Sequence, residues 1–298
     1  MQSAHLPPVL ARQLWHRLET VHAVTYFSPE SRDAATQLGL RGFWMGYFAQ
    51  RGAPMGAVSP SVIDATFFNF HPARVRRAIP DAWTFAEPDA IVSARCDAAA
   101  AALRRILGDE PAERLAALVV APAEIAIAHA DGVGRPLFAA NRSLPRPDDP
   151  VAAAWQATTT LREHRGDGHV AALVTAGLDG CAAQVLFAAS EGVAPLVYRE
   201  SRGWSADDWA AATERLAERD LLDPQGAITD AGQALRAEIE QTTDRLAVVP
   251  YAAVGLERLE WLLVQLDPFV EMVTAAGDIP FPNPMGLPLP VPAHEWSH

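Results

Sequence analysis

Apolar residues along most of this chain recur at the three-to-four-residue spacing of helices. Leu10, Leu14, Leu18 and Val21 fall on one face of a helix expected over residues 8–24. Ser28 and Pro29 then supply a cap and a first-turn proline for the next helix. Residues 39–52 are aromatic and punctuated by glycine, and residues 59–78 open on Ser59-Pro60 and carry Phe67, Phe68, Phe70 and His71. Further helices are expected over 88–107 and 111–129. Residues 131–150, dense in Pro, Gly, Asn and Asp, read as a linker. Beyond it lie helices over 151–176 and 178–191, then one over 205–222 that opens on Ser205 with Asp207 and Asp208 in its first turn. A turn at 223–226 and a brief strand at 227–229 precede helices over 230–247 and 250–276, and 278–295 is a proline-rich tail. The pattern predicts a mainly α protein with a short β-wing in its C-terminal half.

One stretch concentrates chemistry. Residues 162–169 hold Arg162, Glu163, His164, Arg165, Asp167 and His169 with Gly166 and Gly168 between them. Each glycine costs a helix roughly 1 kcal/mol, so the expectation is a helix that breaks, kinks or opens onto a ligand here. His164, Asp167 and His169 have the residue types of a two-histidine, one-carboxylate metal triad. In an unbroken helix, however, His164 and His169 lie about 140° apart. The competing reading is that Glu163 and Asp167 pair with arginines inside a buried helix.

Charge narrows the function classes. The formal net charge is −12 and all 24 basic residues are arginine, which argues against a chain that holds duplex DNA by neutralising phosphates. No apolar run reaches the length of a membrane span. Cys96 and Cys181 are isolated, and the first residues lack a basic, then apolar, leader, so a cytoplasmic setting is expected. Residues 296–298 match the opening of a Strep-type affinity tag and are left out of any site.

From Trp204 onward, the order Trp204-Ser205, Trp209, Leu216, Leu221-Leu222-Asp223, Gly226, Ile228-Thr229, Gly232 and Leu235 resembles the recognition helix, wing and following helix of MarR-type winged-helix proteins. The basic wing tip of that family is absent. Residues 205–223 carry six acids against Arg215 and Arg219, a net −4, the wrong sign for docking that helix in a groove. Residues 22–27, 39–52, 67–70 and 161–169 are similar to an actinobacterial SalK-like helix-turn-helix family. That resemblance implies a MarR-related fold and brings no assigned reaction.

Landmarks also recur along the chain: His22 matches His169, Gly39-Leu40 matches Gly177-Leu178, and Glu113-Arg114-Leu115 matches Glu257-Arg258-Leu259. The repeat predicts tandem winged-helix-like halves, 1–130 and 151–277, joined by the 131–150 linker as an intramolecular pseudo-dimer. Residues 59–78 and 205–222 would be the two recognition-type helices.

Nine of the 23 aromatics fall between residues 22 and 71, about twice their even share, which points to a pocket in the first half. The leading expectation is a small-molecule-binding protein that holds an apolar or aromatic ligand between its halves. Its ligand-binding residues would be His22, Tyr26, Tyr47, Phe70, His71, Arg162 and Arg165. One alternative is an enzyme of specialised metabolism in which His164, Asp167 and His169 are the catalytic groups. It could be assisted by a divalent metal, or by non-covalent haem on His22 or His71 with Arg41 and Arg51 at the propionates. The other is a ligand-responsive MarR-type regulator. A monomer or a homodimer fits either half-arrangement.

Overall fold

Proline and small capping side chains set the helix starts. In the computed structural model, which describes residues 6–283 and 285–289, α1 (Pro8–Phe27) gives way to α2 (Pro29–Gln37), whose cap Ser28 accepts from the Ser31 amide. There follow α3 (Gly42–Gly52), α4 (Pro60–Phe67), α5 (Pro72–Arg76), α6 (Ala82–Phe85), α7 (Pro88–Leu107), α8 (Asp109–His129) and α9 (Pro136–Arg142). The second half comprises α10 (Pro150–Thr175), α11 (Gly180–Glu191), α12 (Pro195–Arg202), α13 (Ala206–Glu218), α14 (Asp230–Val248) and α15 (Leu256–Ala275). Asp149, Asp179, Ser205 and Thr229 cap α10, α11, α13 and α14 with their side chains, and Ser205 with Asp208 forms a full capping box.

The axis of the molecule is α10. Its first half, up to Leu161, carries no charge, and its few polar side chains, Gln156, Thr158, Thr159 and Thr160, are hydrogen-bonded, so it is buried all round. It packs against α1, α7, α8, α9 and α14, with Trp155 fully enclosed. The largest core joins α1, α7, α8, α10 and α15. A second gathers the aromatic region, around Phe48, Ile63, Phe67 and Phe70. A third lies under α11 and α13, around Leu186, Leu216 and Leu222.

Several expectations change. The glycines at 166 and 168 do not break α10, which continues through them as one helix of 26 residues. What Gly168 permits is a close approach: a Cβ there would sit 2.8 Å from Arg135 Nη1, and that guanidinium donates to the His164 carbonyl. Residues 131–150 contain α9, whose Leu137 and Phe138 are buried beneath α10. Residues 59–78 are not one helix. The chain leaves α4 at Phe68, which has φ +61°, and restarts at Pro72, which lacks the N–H a continuing helix requires. The proposed counterpart of α13 is therefore two short pieces, and the expected pseudo-dimer of winged-helix-like halves is not supported.

The β-wing shrinks to one isolated antiparallel bridge, Leu222 with Ile228, and there is no strand among the described residues. The reason is length. The Asp223 amide already bonds to the Ala227 carbonyl, and Thr229 is committed as the cap of α14, so no residues remain to extend a ladder. The tag-like ending lies outside the described residues. Among those residues, no single helix is long and apolar enough to cross a membrane.

Candidate functional site

Two helices joined by a tight turn define one end of the molecule. Between α12 and α13, Gly203 takes φ +84°, and Trp204 donates through Nε1 to the Asn69 carbonyl at 3.0 Å. The His71 amide donates to the Arg202 carbonyl at 2.9 Å, and Gly180 lies against the Phe68 carbonyl so closely that a Cβ would meet it at 2.1 Å. The turn is thus docked on residues 68–74 of the first half.

Between this unit and the first half lies a cleft of about 370 Å³. Its walls come from α1, α3, α4, α10, α11, α12 and α14, and Met285, Gly286 and Pro288 border it. Seven aromatic residues line it, among them Tyr26, Tyr47, Phe70 and Phe187, together with six arginines: Arg12, Arg51, Arg162, Arg165, Arg202 and Arg236. Glu19, Glu191 and Glu240 line the same cleft, so arginines outnumber carboxylates in its lining although the chain as a whole carries −12.

Most of these cations are held by carboxylates. Glu163, buried, takes Arg51 bidentately at 2.9 and 3.0 Å and Arg162 at 2.8 Å. Burial alone would raise its pKa, but Arg162 and Arg51 outweigh that and hold it well below the usual carboxylate range. Arg162 also reaches Glu19 at 3.3 Å. Arg165 contacts Glu240 at 3.0 Å and Asp244 at 3.3 Å, and lies over the Trp15 ring. Arg12 meets Asp244 at 2.6 Å.

The expected site residues divide. Tyr26, Tyr47, Phe70, Arg162, Arg165 and His169 line the cleft. His22 sits one side chain behind it: Nδ1 is 2.8 Å from Thr159 Oγ1 and Nε2 is 3.0 Å from the Tyr26 hydroxyl. Because the Thr159 hydroxyl donates to the Trp155 carbonyl, it must accept from His22 Nδ1–H, and Tyr26 then donates to Nε2. Burial drives the His22 pKa well down, so the ring stays neutral. Both nitrogens are engaged, which leaves no lone pair for haem iron. Arg41 stacks on Phe85 instead.

His71 caps α5 and packs edge-on against Trp204, at the docked turn rather than in the cleft. His164 and Asp167 face α9, away from it. His164 meets the Phe138 ring edge-on, and burial lowers its pKa to about 3. Asp167 accepts from the Phe138 amide at 2.9 Å, where an arginine was expected. No arginine lies within salt-bridge range of it among the described residues, and burial raises its pKa to about 6. The proposed triad is therefore split across faces of α10, and no group of three or more His, Cys, Asp and Glu among the described residues could hold a metal.

His169 repeats the His22 arrangement. Its Nδ1 is 2.9 Å from Thr243 Oγ1, whose hydroxyl donates to the Ile239 carbonyl. The ring therefore donates from Nδ1 and keeps a lone pair on Nε2. Burial lowers its pKa to about 4, so it is neutral at pH 7.

Sequence reading missed Asn69, Gln184, Tyr198, Arg202 and Arg236, all of which line the cleft. The signal was present as i, i+4 pairs, Tyr198 with Arg202 and Arg236 with Glu240, and as a lone glutamine on the otherwise apolar start of α11.

A mainly helical chain, with two helices joined by a docked turn and an arginine-rich aromatic cleft, is the class of protein these features define. Residues 11–280 match a family described as a helix-turn-helix family, and the chain belongs to it. No curated protein matches the chain, and no solved structure does.

Proposed function

We propose that the protein binds a small organic anion with an apolar or aromatic body in the cleft between its helix-turn-helix end and its first half, on a fold related to the MarR and SalK-like proteins. The observation that carries this reading is the cleft itself: six arginines interleaved with seven aromatic side chains in an otherwise acidic chain. Guanidinium groups recognise carboxylates and similar anions with directed hydrogen bonds, and the rings accept an apolar body. The enzyme alternative loses its triad, because His164 and Asp167 face α9, and leaves only His169 in the cleft.

Family membership favours a second reading, DNA binding. Against it, α13 carries Asp207, Asp208, Glu214 and Glu218 with Arg215 as its one cation, and the turn that precedes it is docked on residues 68–74.

The test is a fluorescence titration with anilinonaphthalene sulfonate, an aromatic anion, beside a gel shift with genomic duplex fragments. Binding should be saturable and should fall by about tenfold or more in Val170→Trp, which fills the cleft without removing a polar group. Binding that Val170→Trp leaves intact would overturn the cleft reading, and a tight, specific operator would establish the second.

A further inference from the structure

Gln184 and Phe187 on α11, Arg236 and Glu240 on α14, and His169 on α10 all line the cleft, and Glu240 lies 4.0 Å from Arg236 and 3.9 Å from His169 Nδ1. Gln184 is only 8% exposed, yet its Oε1 is a buried acceptor with no hydrogen-bond partner among the described residues. Leaving such a group unsatisfied is costly, and α11 could carry a leucine there at no loss to its core. Gln184 sits one helical turn from Phe187, and the Arg236 guanidinium stacks on that ring at 4.8 Å. Arg236 has only long contacts to carboxylates, 3.9 Å to Glu191 and 4.0 Å to Glu240, and its Nε is a buried donor with no partner. His169, spoken for at Nδ1 by Thr243, adds a second acceptor at Nε2.

These three helices therefore bring a cation and two acceptors to the same cleft. A simple carboxylate would satisfy Arg236 and leave both acceptors bare, and a neutral alcohol would do the reverse. A carboxamide presents C=O and N–H₂ side by side, the complement of a hydroxyl beside a carboxylate oxygen. We propose that the ligand of this cleft is an α-hydroxy carboxylate with an aromatic body. Its carboxylate is taken by Arg236 and the Gln184 amide N–H₂, its hydroxyl donates to Gln184 Oε1 with His169 Nε2 as a weaker second acceptor alongside, and its ring lies towards Tyr47 and Phe70. This rests on the cleft reading above and sharpens it.

The experiment is calorimetric titration of the intact chain with three matched probes: phenyllactate, phenylpropanoate, which lacks the hydroxyl, and phenylpropanediol, which lacks the anion. Phenyllactate should bind tighter than either by about tenfold, the worth of one well-made hydrogen bond to a buried group. Gln184→Leu should bring the ratio of phenyllactate to phenylpropanoate to about one. It should not lower the unfolding midpoint, because the amide it removes has no protein partner. Arg236→Gln should weaken both acids and leave the diol unchanged. Equal binding of the two acids, a ratio that survives Gln184→Leu, or no binding of any probe would overturn the proposal. If the two acids bind equally and Val170→Trp abolishes both, the cleft reading stands and the α-hydroxy assignment alone falls. If Val170→Trp leaves binding intact, both fall.

Discussion

Glu163 is the residue on which the wall of the cleft depends most heavily. Its carboxylate is 1% exposed and faces two guanidiniums, Arg51 and Arg162. Arg162 has a second carboxylate in Glu19, whereas among the described residues Glu163 is the one carboxylate in salt-bridge range of Arg51, which also contacts the Tyr47 hydroxyl at 3.4 Å. Glu163→Ala thus strands one buried guanidinium, and breaking a buried pair from one side costs about 3–5 kcal/mol. Glu19→Ala leaves Arg162 its stronger partner and should cost about 1–2 kcal/mol. Replacing both members, Arg51→Met with Glu163→Leu, removes the stranded charge and should recover most of the loss. Urea unfolding at neutral pH, read at constant denaturant slope, measures all three. The reasoning is refuted if Glu163→Ala costs under about 1 kcal/mol, or if the double variant is no more stable than the single one. A pH series gives the sign independently. Because the folded pKa of Glu163 lies below its unfolded value, its contribution is complete above the ordinary glutamate pKa. It is lost as pH falls below that value, and wild type and Glu163→Leu should converge there.

Asp167 has the opposite sign. Burial raises its pKa from 3.8 to about 6, so its contribution is fully present below the unfolded pKa and fades as pH rises through about 6, a difference of roughly 2–3 kcal/mol. Asp167→Asn, which can still accept from the Phe138 amide, should therefore raise the unfolding midpoint at pH 7 and lose that advantage at pH 4; a uniform destabilisation at both would count against it. Gly180→Ala drives a Cβ into the Phe68 carbonyl and should cost about 1–3 kcal/mol or more; unchanged stability would show that the contact between the start of α11 and Phe68 yields freely. His169→Ala removes one hydrogen bond to Thr243 and should cost only about 1 kcal/mol, while weakening phenyllactate more than phenylpropanoate in the titration above.

The helices were legible wherever caps and periodicity agreed, as at Ser28-Pro29, Asp149-Pro150 and Ser205 with Asp208. The helix-turn-helix end was legible too, because Trp204, Leu216, Leu222 and Gly232 each occupy positions with one structural use. Gly232, for example, lies where a Cβ would meet the Leu221 carbonyl at 2.3 Å. The failures have physical causes. Residues 131–150 read as linker because turn residues dominate them, yet Leu137 and Phe138 pack beneath α10 and make α9 part of the core. Residues 59–78 read as one helix because their apolar content is continuous. The break depends on Phe68 adopting a left-handed conformation, which no propensity signals for phenylalanine.

The central octet shows why a cluster in sequence is not a cluster in space. With Gly166 and Gly168 absorbed into a regular helix, residues 162, 165, 166 and 169 follow the i, i+3, i+4, i+7 rhythm of one face, and those four line the cleft. His164 and Asp167 fall on another face and are spent on α9, while Glu163 lies between and ties Arg51 to Arg162. The error was to expect the glycines to bend the helix. Packed against neighbours on several sides, the helix continues through both glycines, and the missing Cβ at 168 is used by Arg135. The polar groups that complete the candidate site instead come from Gln184 and Arg236, far along the chain, on helices whose apolar periodicity gave no reason to single them out. A buried amide with no partner is invisible in sequence, because the absence of a hydrogen bond is a property of packing alone. It is that absence, beside an arginine with only long contacts to carboxylates, that turns an arginine-rich cleft into a specific expectation about the ligand.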